Sequence, residues 1–277
     1  GSGTAVSGII SSTTTWSADD SPFVVTEDIL INEGATLTIE AGVTVKFVED
    51  KVMQVSGTLI AQGTSSSKIT FTSNASSPAA GDWGNIQFLD ASVDATFNGE
   101  TYTGGSIMEY CIVEYGGGEG GIGMLKISSS SPFIHYSELR YSSSQGMLVS
   151  GTGTYLWVNN CDIHHNRNGA YVSGSDDKVL FSYNTIRDNS PGDNGYAGLM
   201  AGSGTFSHNT IKNNTFDDDD SESAGGVRID NGSLDHNIIS GNSNTRNDSR
   251  SPGGVFIYSS GSIFDHNLIS DNGDLAV

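Results

Sequence analysis

The sequence predicts an all-β fold, a parallel β-helix of about nine to ten coils, because two patterns recur along the chain with a common period. In the first, an apolar residue lies between two asparagines. Its copies begin at Asn184, Asn209, Asn237 and Asn267, which are 25, 28 and 30 residues apart. In the second, a glycine precedes two apolar residues that flank a variable one, as in Val227, Arg228 and Ile229. A period of 20 to 50 residues is typical of stacked repeats, in which each unit buries its apolar face against its neighbours.

Each coil begins with the glycine-led strand, whose first and third residues point inward because side chains alternate along a strand. A Ser/Gly turn follows, such as residues 259–262, and a short strand leads from it to the asparagine corner. Another short strand and a variable loop complete the coil. Short strands at a spacing of 22 to 30 residues, with no helix between them, fit stacked coils better than a sandwich or a propeller.

The corner position holds Cys111, Ser137 and Cys161 in the upstream coils and asparagine in the later ones. Asparagine suits a sharp bend because it tolerates left-handed dihedral angles and its side chain hydrogen-bonds nearby backbone, so we expect stacked copies to bond one another in a ladder. The two cysteines are two coils apart, which separates their Cα atoms by about 9.6 Å. A disulfide needs less than about 7 Å. We therefore predict two buried thiols and no bridge.

Four N-terminal segments carry a family resemblance: GATLTIEAGVTVKF (34–47), SGTLIAQGT (56–64), ITFTS (69–73) and GDWGNI (81–86). From about Ile29 to its end, the chain resembles the right-handed parallel β-helix proteins of the pectate-lyase-like superfamily, in particular bacterial secreted and surface proteins. The resemblance implies a single right-handed β-helix over residues 29–277, truncated at its C-terminal end, and a cap or leader strand over residues 1–28. The superfamily includes lyases, hydrolases, epimerases, adhesins and domains without known activity, so the resemblance specifies the fold much better than the function.

The charge balance excludes two classes of partner. The chain has 12 Lys and Arg against 32 Asp and Glu, a net charge of −20, which repels nucleic acid and anionic membrane surfaces. No apolar run approaches the roughly 18 residues that would insert into a membrane. With 36 glycines and 35% hydrophobic residues, the composition agrees with an extracellular solenoid, and the resemblance implies a secreted or cell-surface location. The last coil is unfinished, so we expect the parent protein to continue beyond Val277 and the open edge to permit end-to-end self-association.

The variable positions of the glycine-led strands form one outward column. It reads Gln54, Gln87, Lys126, Leu148, Tyr171, Met200, Arg228 and Phe256. The resemblance implies polysaccharide binding on this face, and the predicted binding residues are Lys126, Leu148, Tyr171, Met200, Arg228 and Phe256. Tyr171 and Phe256 lie about 14 Å apart and can stack on sugar rings, while the negative charge favours a neutral glycan. In the alternative, the loops over residues 190–197, 215–225 and 243–253 cover the column.

Catalytic and metal candidates are few. The outward column contains no carboxylate, and glycoside hydrolysis needs two, so Arg228 and the nearby Asp230 are the catalytic candidates. A possible calcium ion would bind the acidic loop, through Asp217, Asp218, Asp219, Asp220 and Glu222, although such a run is more often a solvated loop tip. No other cofactor is required. Three histidines share one position in successive coils: His208, His236 and His266. Because parallel copies do not converge on one ion, stacking is the favoured role for them.

The sequence therefore predicts a non-catalytic β-helix segment of a secreted or cell-surface bacterial protein, which serves as a stalk, as a carbohydrate-binding surface, or as both. One alternative is a polysaccharide lyase or glycoside hydrolase that acts on the glycine-led sheet. Another is a protein-binding adhesin. An enzyme would release unsaturated or reducing ends from a polysaccharide, a binder would only be retarded in affinity gels, and an adhesin would do neither.

Overall fold

The computed structural model describes residues 3–118, 123–151, 153, 155–174, 178–190, 196–217, 222–245 and 251–273. These residues form a right-handed parallel β-helix of about nine turns, as predicted. Each turn contributes a short strand to each of three parallel faces, which we name sheets A, B and C in chain order from the leading glycine. Within the described residues the helical element is a 3-10 turn, Ala18–Asp20, and none of their helices is long and apolar enough to cross a membrane.

Sheet A contains the glycine-led strands. They are Met53–Val55, Ile86–Phe88, Leu125–Ser128, Gln145–Ser150, Asn168–Ser173, Leu199–Ala201, Val227–Ile229 and Val255–Ile257. Tyr171 pairs with Leu148 on one side and with Met200 on the other, so the predicted register of this sheet is confirmed. The leading glycine is required where coils approach closely, because a Cβ at Gly198 would clash with the carbonyl oxygen of Gly226 in the next coil.

Sheets B and C flank the asparagine corner. Sheet B contains Thr14–Trp16, Thr36–Ile39, Thr58–Gln62, Ile107–Glu109, Phe133–His135, Leu156–Asn159, Val179–Ser182, Thr205–Ser207, Ser233–Asp235 and Ile263–Asp265. Sheet C contains Thr44–Phe47, Ile69–Ser73, Cys111–Glu114, Glu138–Arg140, Asp162–His164, Thr185–Arg187, Thr210–Lys212, Ile238–Ser240 and Leu268–Ser270. Outside these sheets, Thr96–Asn98 and Thr101–Gly104 form an antiparallel hairpin, and Thr215–Phe216 pairs with Ser243–Asn244.

Two long strands, Thr4–Ile10 and Phe23–Ile31, join sheets A and C at the N-terminal end. They pair with each other in parallel, and Thr14–Trp16 pairs with Thr36–Ile39 in sheet B. Parallel pairing thus begins well before residue 29. The division into a leader over residues 1–28 and a β-helix over residues 29–277 stays a prediction.

The core is one continuous apolar column inside the coils, which extends from Trp16 to Ile239. Strand alternation produces it: Val227 and Ile229 are fully buried, whereas Arg228 between them is half-buried. Aromatic rings also stack within it, as between Phe47 and Trp83, whose centroids are 4.2 Å apart. Each coil therefore covers the apolar face of its neighbour, as a stacked repeat requires.

Two asparagine ladders run along the corners. The ladder between sheets B and C contains Asn184, Asn209, Asn237 and Asn267, and the ladder between sheets C and A contains Asn166, Asn189, Asn214, Asn242 and Asn272. Nδ2 of Asn209 donates to Oδ1 of Asn237 at 3.0 Å and to the carbonyl oxygen of Phe181 at 3.0 Å. Oδ1 of Asn209 accepts from the backbone N–H of Asn184 at 2.9 Å. The predicted ladder is confirmed.

The left-handed residue of the corner is not the one that we expected. It is the residue before the ladder asparagine, as at His208, His236 and His266, with φ of 56°, 52° and 46°. The bend turns the histidine side chain outward, where His208 is exposed. Asn209 then points inward and is 1% exposed, because its amide must reach the backbone of the coils on either side.

Cys111 and Cys161 are buried free thiols, as their spacing predicts. The backbone N–H of Cys111 donates to Oγ of Ser137 at 3.1 Å, which keeps the serine of the intervening coil in the same column. Burial raises the pKa of both thiols, and that of Cys161 to about 12. Both cysteines are therefore unreactive core residues in the folded protein.

Candidate functional site

The predicted binding column lies on the outer face of sheet A, where it is partly covered. The half-buried members are Lys126, Leu148, Tyr171, Arg228 and Phe256. Met200 is only 8% exposed. The ring of Tyr171 lies 6.3 Å from that of Tyr196, which is buried. The structure thus brings these residues into one row, and their role in binding stays a prediction.

Arg228 and Asp230, the catalytic candidates, pair with each other. Nε of Arg228 donates to Oδ1 of Asp230 at 2.9 Å. The guanidinium also lies over the ring of Tyr258, 4.9 Å from its centroid. These contacts give the arginine a local structural role, since they neutralise its charge on the outer face of the sheet.

The acidic loop falls mostly outside the described residues. Asp218, Asp219 and Asp220 are among those that the structure does not describe. Asp217 accepts a hydrogen bond from Oγ1 of Thr245 at 2.7 Å, and Glu222 is half-buried. The calcium site therefore stays a prediction.

The three corner histidines form a stack. The ring centroids of His208 and His236 are 5.1 Å apart, those of His236 and His266 are 4.7 Å apart, and the rings of each pair are parallel within 9°. Ligand atoms of Asp235, His236 and His266 come close enough to hold a metal ion. However, Nδ1 of each of these two histidines is already paired with the aspartate before it, and in-plane lone pairs of parallel rings do not converge. Stacking is the role that the geometry favours.

A groove lies on the outer face of sheet B. Its volume is about 680 Å³. The last residues of six successive strands line it, and each pairs in register with the next. This polar row reads Gln62, Glu109, His135, Asn159, Ser182 and Ser207. Five strand spacings make the row about 24 Å long.

An apolar row runs beside the polar row, two residues earlier in each strand. It reads Ile60, Ile107, Phe133, Trp157 and Leu180. The hairpin of residues 96–104 folds over it. The ring of Phe97 lies 5.1 Å from Phe133 and 5.3 Å from Trp157, so part of the apolar row forms a small satellite core under the hairpin.

Contacts at its C-terminal end hold the hairpin in place. The hydroxyl of Tyr102 donates to the carbonyl oxygen of Gly105 at 2.6 Å. Gly105 has a φ of 88°, and a Cβ there would clash with the backbone of Asp94, so the turn from the hairpin into sheet B requires glycine. Beyond the hairpin, Trp157 also lines a second cavity of about 610 Å³. Trp157 therefore lies between two cavities.

Two buried polar atoms of the groove lack partners among the described residues. They are the indole Nε1 of Trp157, a donor, and Oδ1 of Asn159, an acceptor. Asn159 is 7% exposed. A buried polar group without a hydrogen bond costs about 1 to 3 kcal/mol, so native proteins seldom keep one without a reason. This donor and acceptor lie two residues apart on one strand.

Glu109 contributes negative charge to the groove and contacts His135. Nε2 of Gln62 donates to Oε2 of Glu109 at 3.3 Å, and Nδ1 of His135 lies 3.5 Å from Oε1. Burial lowers the pKa of His135, which outweighs the raising effect of Glu109. Nε2 of His135 is 3.5 Å from Nδ2 of Asn160. A neutral imidazole that donates to Glu109 and accepts from Asn160 satisfies both contacts.

A family model described as "Right handed beta helix region" matches residues 100–272, more than half of the 277 residues. The chain belongs to this family. No curated protein matches this right-handed β-helix. Most residues that line the groove, and residue 100 at the tip of the hairpin, lie within the matched region.

Three solved structures are similar to this right-handed β-helix. A mutant of the periplasmic alginate epimerase AlgG is 11% identical, with a TM-score of 0.43, and the match covers 91% of this chain and 76% of that one. The Azotobacter vinelandii mannuronan C-5 epimerase AlgE6 A-module is 14% identical, with a TM-score of 0.32 and coverage of 97% and 91%. The AlgE4 A-module from the same organism is 12% identical, with a TM-score of 0.32 and coverage of 99% and 91%.

The sheet B groove is absent from the sequence prediction, which used the outward column of sheet A. The signal is nevertheless present. Counting back two and four positions from the corner residue Cys161 gives Asn159 and Trp157, and the same count from Ser137 gives His135 and Phe133. Large apolar residues on the outer side of this right-handed β-helix indicate a cover or a ligand. In the part of the chain that the structure describes, the hairpin that makes the groove concave has no antiparallel equivalent in the other coils, and it breaks the repeat.

Proposed function

We propose that this right-handed β-helix is a non-catalytic polysaccharide-binding segment of a secreted or cell-surface bacterial protein, and that the glycan lies in the groove on sheet B. The observation that carries this proposal is the unpaired donor of Trp157 beside the unpaired acceptor of Asn159. A sugar hydroxyl both donates and accepts, so hydroxyls that reach these two buried atoms can pair with each of them.

The shape of the groove supports an extended ligand. The polar row is about 24 Å long by strand spacing, which is longer than a single sugar. An aromatic side chain that is only partly covered, such as Trp157, can pack on the apolar face of a sugar ring, and the parallel polar row offers hydrogen bonds to the hydroxyls along one edge. The exclusion of polyanions follows from the net charge of −20.

We infer a non-catalytic role from the environment of two candidate carboxylates, Glu109 and Asp230. Glu109 has Gln62 and His135 as neighbours, and Asp230 is paired with Arg228. Glycoside hydrolysis needs one carboxylic acid held protonated and a second carboxylate across the scissile bond. Release of unsaturated or reducing ends from any bound polysaccharide would overturn this part of the proposal.

The test is affinity gel electrophoresis against soluble polysaccharides, some neutral, some amine-bearing and some acidic. We expect retardation by at least one polymer that is not acidic. Trp157→Phe removes the indole donor and keeps an aromatic ring, so binding should weaken roughly 2- to 12-fold, the value of one hydrogen bond. Trp16→Phe makes the same change in the core near the N-terminus, outside the groove, and should leave retardation unchanged.

The double variant Tyr171→Ala with Phe256→Ala reports on sheet A. If it loses retardation while Trp157→Phe retains it, and both variants melt within a few degrees of wild type, the binding face is sheet A and not the groove. If no polymer retards the protein, the carbohydrate-binding proposal is wrong.

A further inference from the structure

Two carboxylates give the groove negative charge. Glu100 and Glu109 line it, neither lysine nor arginine is among the described residues that do so, and the basic side chains there are those of His135 and His208. His135 is held neutral by burial, which lowers its pKa. The chain as a whole adds a net charge of −20. The potential inside a concave, partly apolar site is therefore strongly negative, which raises the local concentration of cations.

Glu109 is positioned and yet uncompensated. Its side chain is 24% exposed, and its two oxygens face Gln62 and His135, both of which are neutral. Neutral hydrogen-bond donors orient a carboxylate and leave its charge in place. A ligand that covers this carboxylate without bringing a positive charge would pay for its desolvation.

The surrounding rings also favour a cation. Phe97, Phe133, Trp157 and Tyr102 cluster around the hairpin, with centroids 5.1 to 6.3 Å apart in the contacting pairs. Trp157 and Leu180 extend beyond the hairpin into the second cavity. Aromatic faces attract ammonium groups as well as the apolar faces of sugars.

We propose that the groove is selective for a polysaccharide of amino sugars with free amines, and that Glu109, with Glu100 at the hairpin tip, receives the ammonium groups. This inference rests on the proposed function and names its ligand class. It replaces the neutral glycan predicted from the sequence with a cationic one. The hydroxyls of the same sugars still satisfy Trp157 and Asn159.

The experiment compares two hexamers with one backbone by isothermal titration calorimetry: a glucosamine hexamer and its N-acetylated counterpart. We expect the free-amine hexamer to bind at least about 10-fold more tightly, the lower end for a hydrogen bond to a charged group. Raising the salt concentration should shrink this difference, because exposed charges are screened. Spermine, a polyamine without sugar rings, should not displace the hexamer at equal charge.

Glu109→Gln should reduce free-amine binding about 10-fold, to the level of the acetylated hexamer, and leave the latter unchanged. The matched control is Glu33→Gln, which alters an exposed carboxylate far from the groove lining. Equal affinity for the two hexamers overturns the inference and leaves the proposed function standing. Binding of neither hexamer, with another neutral polymer bound, also overturns the inference alone. If spermine displaces the hexamer at equal charge, charge attraction alone explains the binding, and amino-sugar selectivity is refuted.

Discussion

Replacement of Asn209 by alanine tests the asparagine ladder at its centre. Asn209 is 1% exposed, and its side chain makes four hydrogen bonds. Two of them involve the side chains of Asn184 and Asn237, at 3.1 and 3.0 Å, and each of those amides keeps another partner after the change.

The other two bonds decide the magnitude. The backbone N–H of Asn184 and the carbonyl oxygen of Phe181 lose their side-chain partner in Asn209→Ala, and both lie inside the stack. The carbonyl oxygen of Phe181 also lies in the ladder with the strand Thr205–Ser207, so the N–H of Asn184 is the group left unsatisfied. A buried polar group left unsatisfied costs about 1 to 3 kcal/mol, and the free energy of unfolding should fall by at least that amount. Most single domains are stable by only about 5 to 15 kcal/mol, so the change is large.

The free energy of unfolding is measured by urea denaturation, followed by circular dichroism in the far ultraviolet. Asn231→Ala is the matched control, because Asn231 is exposed in a turn outside both ladders. Its effect should stay within about 0.5 kcal/mol. A loss of less than about 1 kcal/mol in Asn209→Ala, with an unchanged m-value, would show that water replaces the amide and that the ladder does not stabilise the coil stack.

Two further predictions concern titratable groups. The hydrogen bond from His164 is the main cause that lowers the pKa of Glu138 from 4.5 to about 2. This carboxylate therefore contributes stability above pH 4.5 that is lost as the pH falls towards 2. In Glu138→Gln the melting temperature should depend less on pH over this range, and an unchanged pH dependence would contradict the assignment. Cys111 and Cys161 are buried, so a reagent that labels thiols by disulfide exchange should react with neither cysteine in the folded protein and with both after unfolding in denaturant. Rapid labelling of the folded protein would place them outside the core.

The repeat made most of the fold predictable. The pattern of Val227, Arg228 and Ile229 gives both the inward pair and the outward residue, and the structure confirms this register along sheet A. The corner was predicted less well. Asn209 was expected to carry the left-handed bend, but the bend lies at His208, since the asparagine amide is needed inside. The turn propensity of asparagine explains its presence at the corner. It does not predict that the side-chain amide must point inward to bond the backbone of neighbouring coils.

The site was less predictable than the fold because an interruption of the repeat creates it. The sequence indicates the polar and apolar rows of sheet B through fixed distances from the corner, yet their concavity depends on the hairpin of residues 96–104. Contact of Phe97 with Phe133 and Trp157 joins residues far apart in the chain. Period counting cannot supply such a contact, since it relates only equivalent positions.

The in-register row from Gln62 to Ser207 makes ligand preference separable from folding. Each strand contributes a single outward side chain to this row, and its inward neighbours fill the core inside the coils. A substitution at one row position therefore changes the surface at a single step of about 4.8 Å and leaves the stack above and below it intact. Related chains with the same coils can then diverge in what they recognise by exchanging one side chain per turn, while the core inside the coils stays the same.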